Sequence, residues 1–280
     1  MKRAKPLQNI PRKVFPALFG MLLLLTGCLG AASSHSNPGQ SSRTLTVFAA
    51  ASLTEAFHQV GAAFEANHPG VEVTFNFAGS QQLAQQIAQG ASVDVFASAD
   101  RRQMEAAIQA GRVQPDQALP LAGNRLVVVL PAGNPAQLQT LQDLTRPGIK
   151  LVLAASQVPV GEYSLRFLDN ADRSSLFAPG YKQAVLKNVV SYEENVRAVL
   201  SKVILGEADA GIVYTSDISS TDQKKVEQLD IPENLNVQAS YWIAPVQNRA
   251  HPDLAEAFIA FARSSAGQEI LSKYGFQAIQ

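Results

Sequence analysis

The sequence predicts an α/β protein of two lobes, with parallel or mixed sheets flanked by helices. Three observations predict it. From Leu45 onward short apolar strands alternate with amphipathic helices, the alternation restarts with new elements after Asn124, and a last strand with two helices follows a polar stretch. Strands alternating with helices imply parallel pairing through right-handed crossovers, and 280 residues are enough for two lobes of ordinary size. The economical arrangement has the closing segment rejoin the first lobe.

The opening segment stands apart from that pattern. Lys2, Arg3, Lys5, Arg12 and Lys13 precede an apolar run from Val14 to Leu25, short for a bilayer span and suited to a secretory leader. The run ends in Leu25-Thr26-Gly27-Cys28, and Cys28 is the single cysteine. A small-residue cleavage site before a lone cysteine resembles the lipobox of bacterial lipoproteins, which implies acylation of Cys28 and a stable membrane anchor. Residues 1–27 are therefore read as leader, and the Ser/Gly/Asn/Pro-rich residues 28–43 as a flexible tether. The expected location is extracytoplasmic, lipid-anchored at the cell membrane or periplasmic.

In the body of the chain, Leu45 to Ala49 reads as a strand, and Leu53, Ala56, Phe57, Val60 and Phe64 follow at helical spacing. "VEVTFNFA" alternates with period two, after which "QQLAQQIAQG" sets Leu83 and Ile87 on one face and stops at Gly90. "VDVFASAD" is the third strand, with Met104 and Ile108 marking its helix. "RLVVVLP" and "IKLVLAAS" are near-continuous apolar runs, as strands buried on both faces require. "NVRAVLSKVILGEADAGIVYTSD" gives a helix with Val196, Val199, Leu200 and Val203 inward, a stop at Gly206 and a strand from Ala210 to Tyr214. Beyond the polar stretch from Thr221 to Asn234, "YWIAPV" returns as a strand, with helices at Leu254 to Phe261 and Ala266 to Tyr274.

Composition excludes several functions. Without the five basic residues of the leader, the 23 acidic residues outnumber the remaining basic ones, so the footprint needed for nucleic acid is missing. Neither G-x-G-x-x-G nor G-x-x-x-x-G-K-[ST] occurs, and there is no G-x-S-x-G elbow. The histidines are scattered: His35 in the tether, His58 inside the first helix, His68 and His251 each before or at a turn near a proline. No metal cluster, cofactor site or catalytic triad is expected from them.

One unit does recur. Strand, small residues, serine and helix appear as "VFAAASLTEAF" and as "FNFAGSQQLAQQI", placing Ser52 and Ser80 alike. Ser52 with Glu55 also fits the S-x-x-E capping box, whereas Ser80 lacks Glu or Gln three residues on. Ligands of open parallel sheets bind outside the carboxyl ends of the strands, where helix N-termini present free N–H groups and a positive dipole end. Two such ends, each with a hydroxyl, suit an oxyanion.

The fragments "VFAAASLTEAF", "FAGSQQLAQQI", "DVFASAD", "NRLVVVLP", "VPVGEYS", "ENVRAVLSKVILGEADAGIVYTSD" and "KYGF", in this order, resemble the bacterial molybdate-binding proteins of ABC importers. The likeness runs from about Leu45 to Phe276. It implies the two-lobed periplasmic-binding-protein fold of type II with a hinge of two crossover strands, lobe 1 being residues 44–124 plus 240–280 and lobe 2 residues 125–239. It also implies molybdate or tungstate as ligand, no cofactor, a membrane permease as partner and a monomeric receptor. Carried over residue by residue, it points to the hydroxyls and N–H groups of Ser52 and Ser80, the N–H groups of Val160 and Val196, and the phenol of Tyr214. Val160 stands where relatives often have alanine, which keeps the backbone donor and tightens the wall.

Hydrogen bonds to a charged group contribute roughly 1.5–3 kcal/mol each, so about seven neutral donors offset the desolvation of a dianion. A pocket without acceptors leaves the proton of a protonated oxyanion nowhere to point, which favours molybdate and tungstate over phosphate; sulfate differs from them only in size. Glu193 and Glu194 are expected to face solvent, since they would repel an anion. Another oxyanion such as sulfate is the alternative ligand, and a secreted serine hydrolase the alternative class, which would need a base near Ser52 or Ser80.

Overall fold

A computed structural model describes residues 43–278; the leader, Cys28 and the tether lie outside the described residues. Two five-stranded mixed sheets form its framework. The first contains β1 (Arg43–Ala50), β2 (Val71–Ala78), β3 (Val95–Ser98), β4 (Leu119–Asn124) and β10 (Ala239–Pro245), in the order β2-β1-β3-β10-β4. The second contains β5 (Leu126–Pro131), β6 (Leu151–Ala154), β7 (Val189–Glu193), β8 (Ala210–Tyr214) and β9 (Val226–Asp230), in the order β7-β6-β8-β5-β9. In each sheet four strands run one way and one runs against them, β10 in the first and β5 in the second. The chain passes from the first sheet to the second at Arg125 and returns between Asp230 and Ala239, so two crossovers connect the lobes.

Helices cover the sheet faces where the apolar stripes demand. In α1 (Thr54–Asn67) the residues Ala56, Phe57, Val60 and Phe64 are buried. Phe258 of α7 (Pro252–Arg263) meets Phe57 and Phe64 edge-on, with ring centroids 5.9 Å and 5.3 Å apart. A ring so enclosed costs about 3–5 kcal/mol to truncate to alanine. In this way the last helices, α7 and α8 (Ser265–Lys273), return to the first lobe. The backbone of Gln277 also exchanges two 2.9 Å hydrogen bonds with Gly123 beside the first crossover. β5 and β6 are buried along their whole length, as their uninterrupted apolar runs predict.

Several elements differ from the sequence expectation. β9 occupies part of the polar stretch from Thr221 to Asn234, where the sequence predicts no element; only its end residue Val226 is buried, and it forms the sheet edge beside β5. β7 is likewise an edge strand whose alternate residues are exposed. α2 (Ser80–Ala88), α3 (Arg101–Gln109) and α6 (Val196–Ile204) match their stripes, while α4 (Pro159–Arg173) and α5 (Tyr181–Lys187) add to them.

Strand register decides which turns meet. β1 and β2 run parallel with Ala50 opposite Ala78, so the turns carrying Ser52 and Ser80 leave the sheet side by side. In the second sheet Ala154 lies opposite Glu193, which brings the starts of α4 and α6 together. α4 approaches its strand so closely that a Cβ at Gly161 would sit 2.1 Å from the carbonyl oxygen of Ala155 and 2.5 Å from that of Ala154. Neither backbone oxygen can yield without moving the helix start. Gly161→Ala is therefore expected to lower stability by about 1–3 kcal/mol, seen as a lower urea midpoint.

Candidate functional site

Four helical starts open onto one small cavity between the lobes. It is lined by Ala50, Ser52, Gly79, Ser80 and Ala99 on one side and by Val160, Asn195, Val196 and Tyr214 on the other, among others. The room in it for the centre of a water-sized sphere is about 20 Å³, far too little for the drug-sized molecules that fill pockets of roughly 300–1,000 Å³. A compact solute suits it. None of the lining residues is charged, so any preference for an anion comes from N–H groups, hydroxyls and helix dipoles. All five residues named from the sequence line this one cavity.

Each comes to the wall for a local reason. Ser80 is the first residue of α2, whose cap is Gly79; the Gly79 N–H donates to Gln82 Oε1 at 3.2 Å. The capping partner three residues on thus serves the glycine and leaves the Ser80 hydroxyl for other use. The Ala99 N–H donates to Ser80 Oγ at 3.0 Å. Since an amide only donates, the hydroxyl proton of Ser80 is free to point elsewhere. Val160 follows Pro159 in the first turn of α4, where proline forfeits no intrahelical bond. Val196 opens α6 behind its cap Asn195, whose side chain accepts from the Ala198 N–H at 3.0 Å. That cap was not singled out in the sequence, although an Asn before an apolar helical stripe is the ordinary signal.

Ser52 corrects an expectation. It lies in a 3-10 turn, Ala51–Leu53, and α1 begins after Leu53 without a side-chain cap. The predicted Ser52–Glu55 capping box is absent because the turn ends before the helix starts. Instead Ser52 Oγ shares a 2.7 Å hydrogen bond with the hydroxyl of Tyr241, and Glu55 pairs with Arg197 across the lobes.

Tyr214 ends β8 fully buried, and its hydroxyl has no hydrogen-bond partner among the described residues. Burial, with the rings and carboxylates around it, holds the phenol well above its usual range near 10. It is a protonated phenol at the cavity wall, and its hydroxyl is not tied back to the fold. His58 is exposed, packs edge-on against Phe75 and Phe77 and does not line the cavity.

The expectation that Glu193 and Glu194 both face solvent needs correction. Glu193 is ion-paired with Lys202 at 2.7 Å and bonded to Ser191, which holds its carboxyl below the usual range despite partial burial. Glu194 is exposed, yet its carboxylate accepts from Gln82 Nε2 at 2.9 Å and its carbonyl from Gln81 Nε2 at 2.8 Å. Both carboxylates are held by partners, and neither lines the cavity. Together with Arg102, which meets Glu162 at 3.1 Å and the Gln157 carbonyl at 2.9 Å, the two glutamine bonds to Glu194 join the lobes beside the cavity.

A closed pair of α/β lobes around a small uncharged cavity defines a solute receptor of the binding-protein class. The chain belongs to the bacterial extracellular solute-binding protein family, whose profile matches residues 45–277. It is 42% identical over 254 residues to the molybdate-binding protein ModA of Mycobacterium tuberculosis, covering 91% of this chain and 92% of that one. Among solved structures it resembles the substrate-binding domain of a molybdenum ABC transporter, described as putative, from Clostridium difficile, at 28% identity and TM-score 0.63 over 85% of this chain and 100% of that one. The sulfate-binding protein SubI of M. tuberculosis shares the fold, with TM-score 0.75, 21% identity and coverage of 85% and 88%. The role of the family is reception of a solute outside the cytoplasm, not catalysis.

Two carboxyls near the cavity titrate unusually. Burial pushes Asp100 and Asp217 up to about 6, against the lowering by Arg102 and Arg197 respectively and by backbone N–H donors. Between the ordinary carboxylate value near 4 and about 6, the folded chain then holds protons that the unfolded chain releases, so stability rises as the pH falls through that window. The melting temperature of the ligand-free chain is expected to be higher at pH 5.5 than at pH 8 by about 2–4 °C, the change that roughly 1 kcal/mol produces in a chain of this size.

Proposed function

We propose that this chain captures molybdate between its lobes and delivers it to an ABC transporter permease. The observation that carries the reading is the cavity itself: Ser52, Ser80, Val160, Val196 and Tyr214 line one small space with no charged side chain. The proposed site is made of the hydroxyls of Ser52, Ser80 and Tyr214 and the backbone N–H groups of Ser52, Ser80, Val160 and Val196. About seven neutral donors offset the desolvation of a dianion at roughly 1.5–3 kcal/mol each. The 42% identity to a protein named for molybdate binding supports the choice of ion, and the likeness to a sulfate-binding protein, at 21%, speaks for the fold alone. Tungstate, of the same charge and shape, is the second ligand proposed.

We further propose that lobe 1 comprises residues 44–124 and 240–280 and lobe 2 residues 125–239, hinged at the two crossovers, and that the receptor works as a monomer tethered through acylated Cys28. Hinge closure about a ligand is a familiar repertoire of two-lobed receptors.

Calorimetric titration with molybdate, tungstate, sulfate and phosphate tests the reading, with tight binding of the first two expected. Ser52→Ala and Ser80→Ala should each weaken molybdate binding by about tenfold or more, as loss of one hydrogen bond to a charged group implies. Unchanged affinity in both would remove the serines from the site. Cys28→Ser should shift the protein from the membrane pellet to the soluble fraction with its affinity unaltered.

A further inference from the structure

The geometry points to Tyr241 as a positioning residue that fixes the Ser52 hydroxyl as a donor into the cavity and so sets the site against protonated oxyanions. The inference rests on the oxyanion reading and deepens it. Direction is fixed first at a backbone amide of the first crossover, which can only donate. The Arg125 N–H donates to Asn124 Oδ1 at 2.9 Å, and Thr215 Oγ1 donates to the same oxygen at 3.1 Å. The amide of Asn124 is thereby oriented, and its Nδ2 faces Ser216 Oγ at 2.7 Å and Tyr241 Oη at 3.4 Å. An amide nitrogen only donates, so the Tyr241 oxygen accepts from it. The phenol proton then needs an acceptor, and Ser52 Oγ stands 2.7 Å away. With its oxygen accepting from Tyr241, Ser52 directs its own proton outward, to the cavity it lines.

The chain of donors runs from Asn124 through Tyr241 to Ser52, and all three residues are buried. Water therefore cannot freely reverse it, and an unpaired member would carry the cost of a buried unsatisfied polar group. Burial, with the Asp217 charge, holds the Tyr241 phenol well above its usual range, so it keeps its proton at every physiological pH. Ser80 reaches the same polarity by a shorter route, through the Ala99 N–H. The two serines of the first lobe thus each turn a hydrogen outward, with one of the two lone pairs of the oxygen already taken. A ligand oxygen that carries its own proton finds fewer acceptors on that wall than a freely rotating pair of hydroxyls would offer, and hydrogen phosphate is disfavoured for a reason separate from size.

The test is a double-mutant cycle of Tyr241→Phe and Ser52→Ala, with the unaltered chain titrated calorimetrically against molybdate and inorganic phosphate at pH 7. Tyr241→Phe is expected to weaken molybdate about tenfold and to narrow the ratio between molybdate and phosphate affinities, since the released Ser52 lone pair accepts a P–OH. In the Ser52→Ala background the same substitution should change molybdate affinity by less than about twofold, because Tyr241 acts through the missing hydroxyl. Equal losses in both backgrounds, or a lowered melting temperature with affinity and ratio unmoved, would overturn the assignment. Should Tyr241→Phe not fold, Asn124→Ala enters the same cycle with a smaller loss expected, about threefold, again absent without Ser52; an additive loss counts against the relay. An unaltered chain that binds neither ion, nor tungstate or sulfate, would fail the receptor reading itself, a result visible before any substitution is made.

Discussion

Parallel register is the constraint on which the site depends. β1 and β2 pair from Arg43 opposite Val71 to Ala50 opposite Ala78, so two chain segments end their strands at one level. A slip of one residue would turn every side chain of a strand to the other face, and the serine turns would no longer leave the sheet together. The second lobe repeats the device with β6 and β7, whose parallel ends bring α4 and α6 to a common start. Hydrophobic burial holds these registers: Val47, Ala49, Leu151 and Leu153 are all sealed from solvent. The cavity is thus a consequence of core packing, reached through the backbone.

An uncharged pocket has an advantage that comes from its construction. Lysine or arginine at the wall would attract any anion and would bring along long, mobile side chains. Amides at helix starts are fixed by the helices they begin, and their orientation costs nothing further when a ligand arrives. The charges that do occur nearby are consumed in pairs. Arg197, next to Val196, serves Glu55 of the first lobe and the fully buried Asp217 of its own. Lys202 neutralises Glu193, and the exposed Glu194 is engaged by two glutamines. Repulsion of an anion by carboxylates close to the site is blunted by these partners, not by distance alone.

Much of the molecule was legible in its sequence. Uninterrupted apolar runs identified β5 and β6, the 3.6-residue stripes identified α1, α2, α3 and α6, and the repeated strand-serine unit brought Ser52 and Ser80 to one place. The edge strands of the second sheet escaped, because β7 and β9 bury few residues and carry no apolar run. The role of Glu55 was misread, since a capping box and an ion pair with a distant arginine make the same local demand on sequence. Tyr241 was invisible for a plainer reason. Its partner Ser52 is 189 positions away, and only the antiparallel return of β10 beside β3 brings it under the first serine turn.

The bonds from the half-buried Gln81 and Gln82 reach the exposed Glu194 at the lip of the cleft, and Gly79 beneath them tolerates no side chain, a Cβ there lying 2.5 Å from the Glu194 carbonyl. The single cysteine of the sequence is Cys28, so thiols introduced at positions 81 and 194 of a chain lacking residue 28 would be the sole attachment points for dyes. Their separation would then serve as a ruler for opening and shutting, with the fluorophores standing outside the chamber they report on.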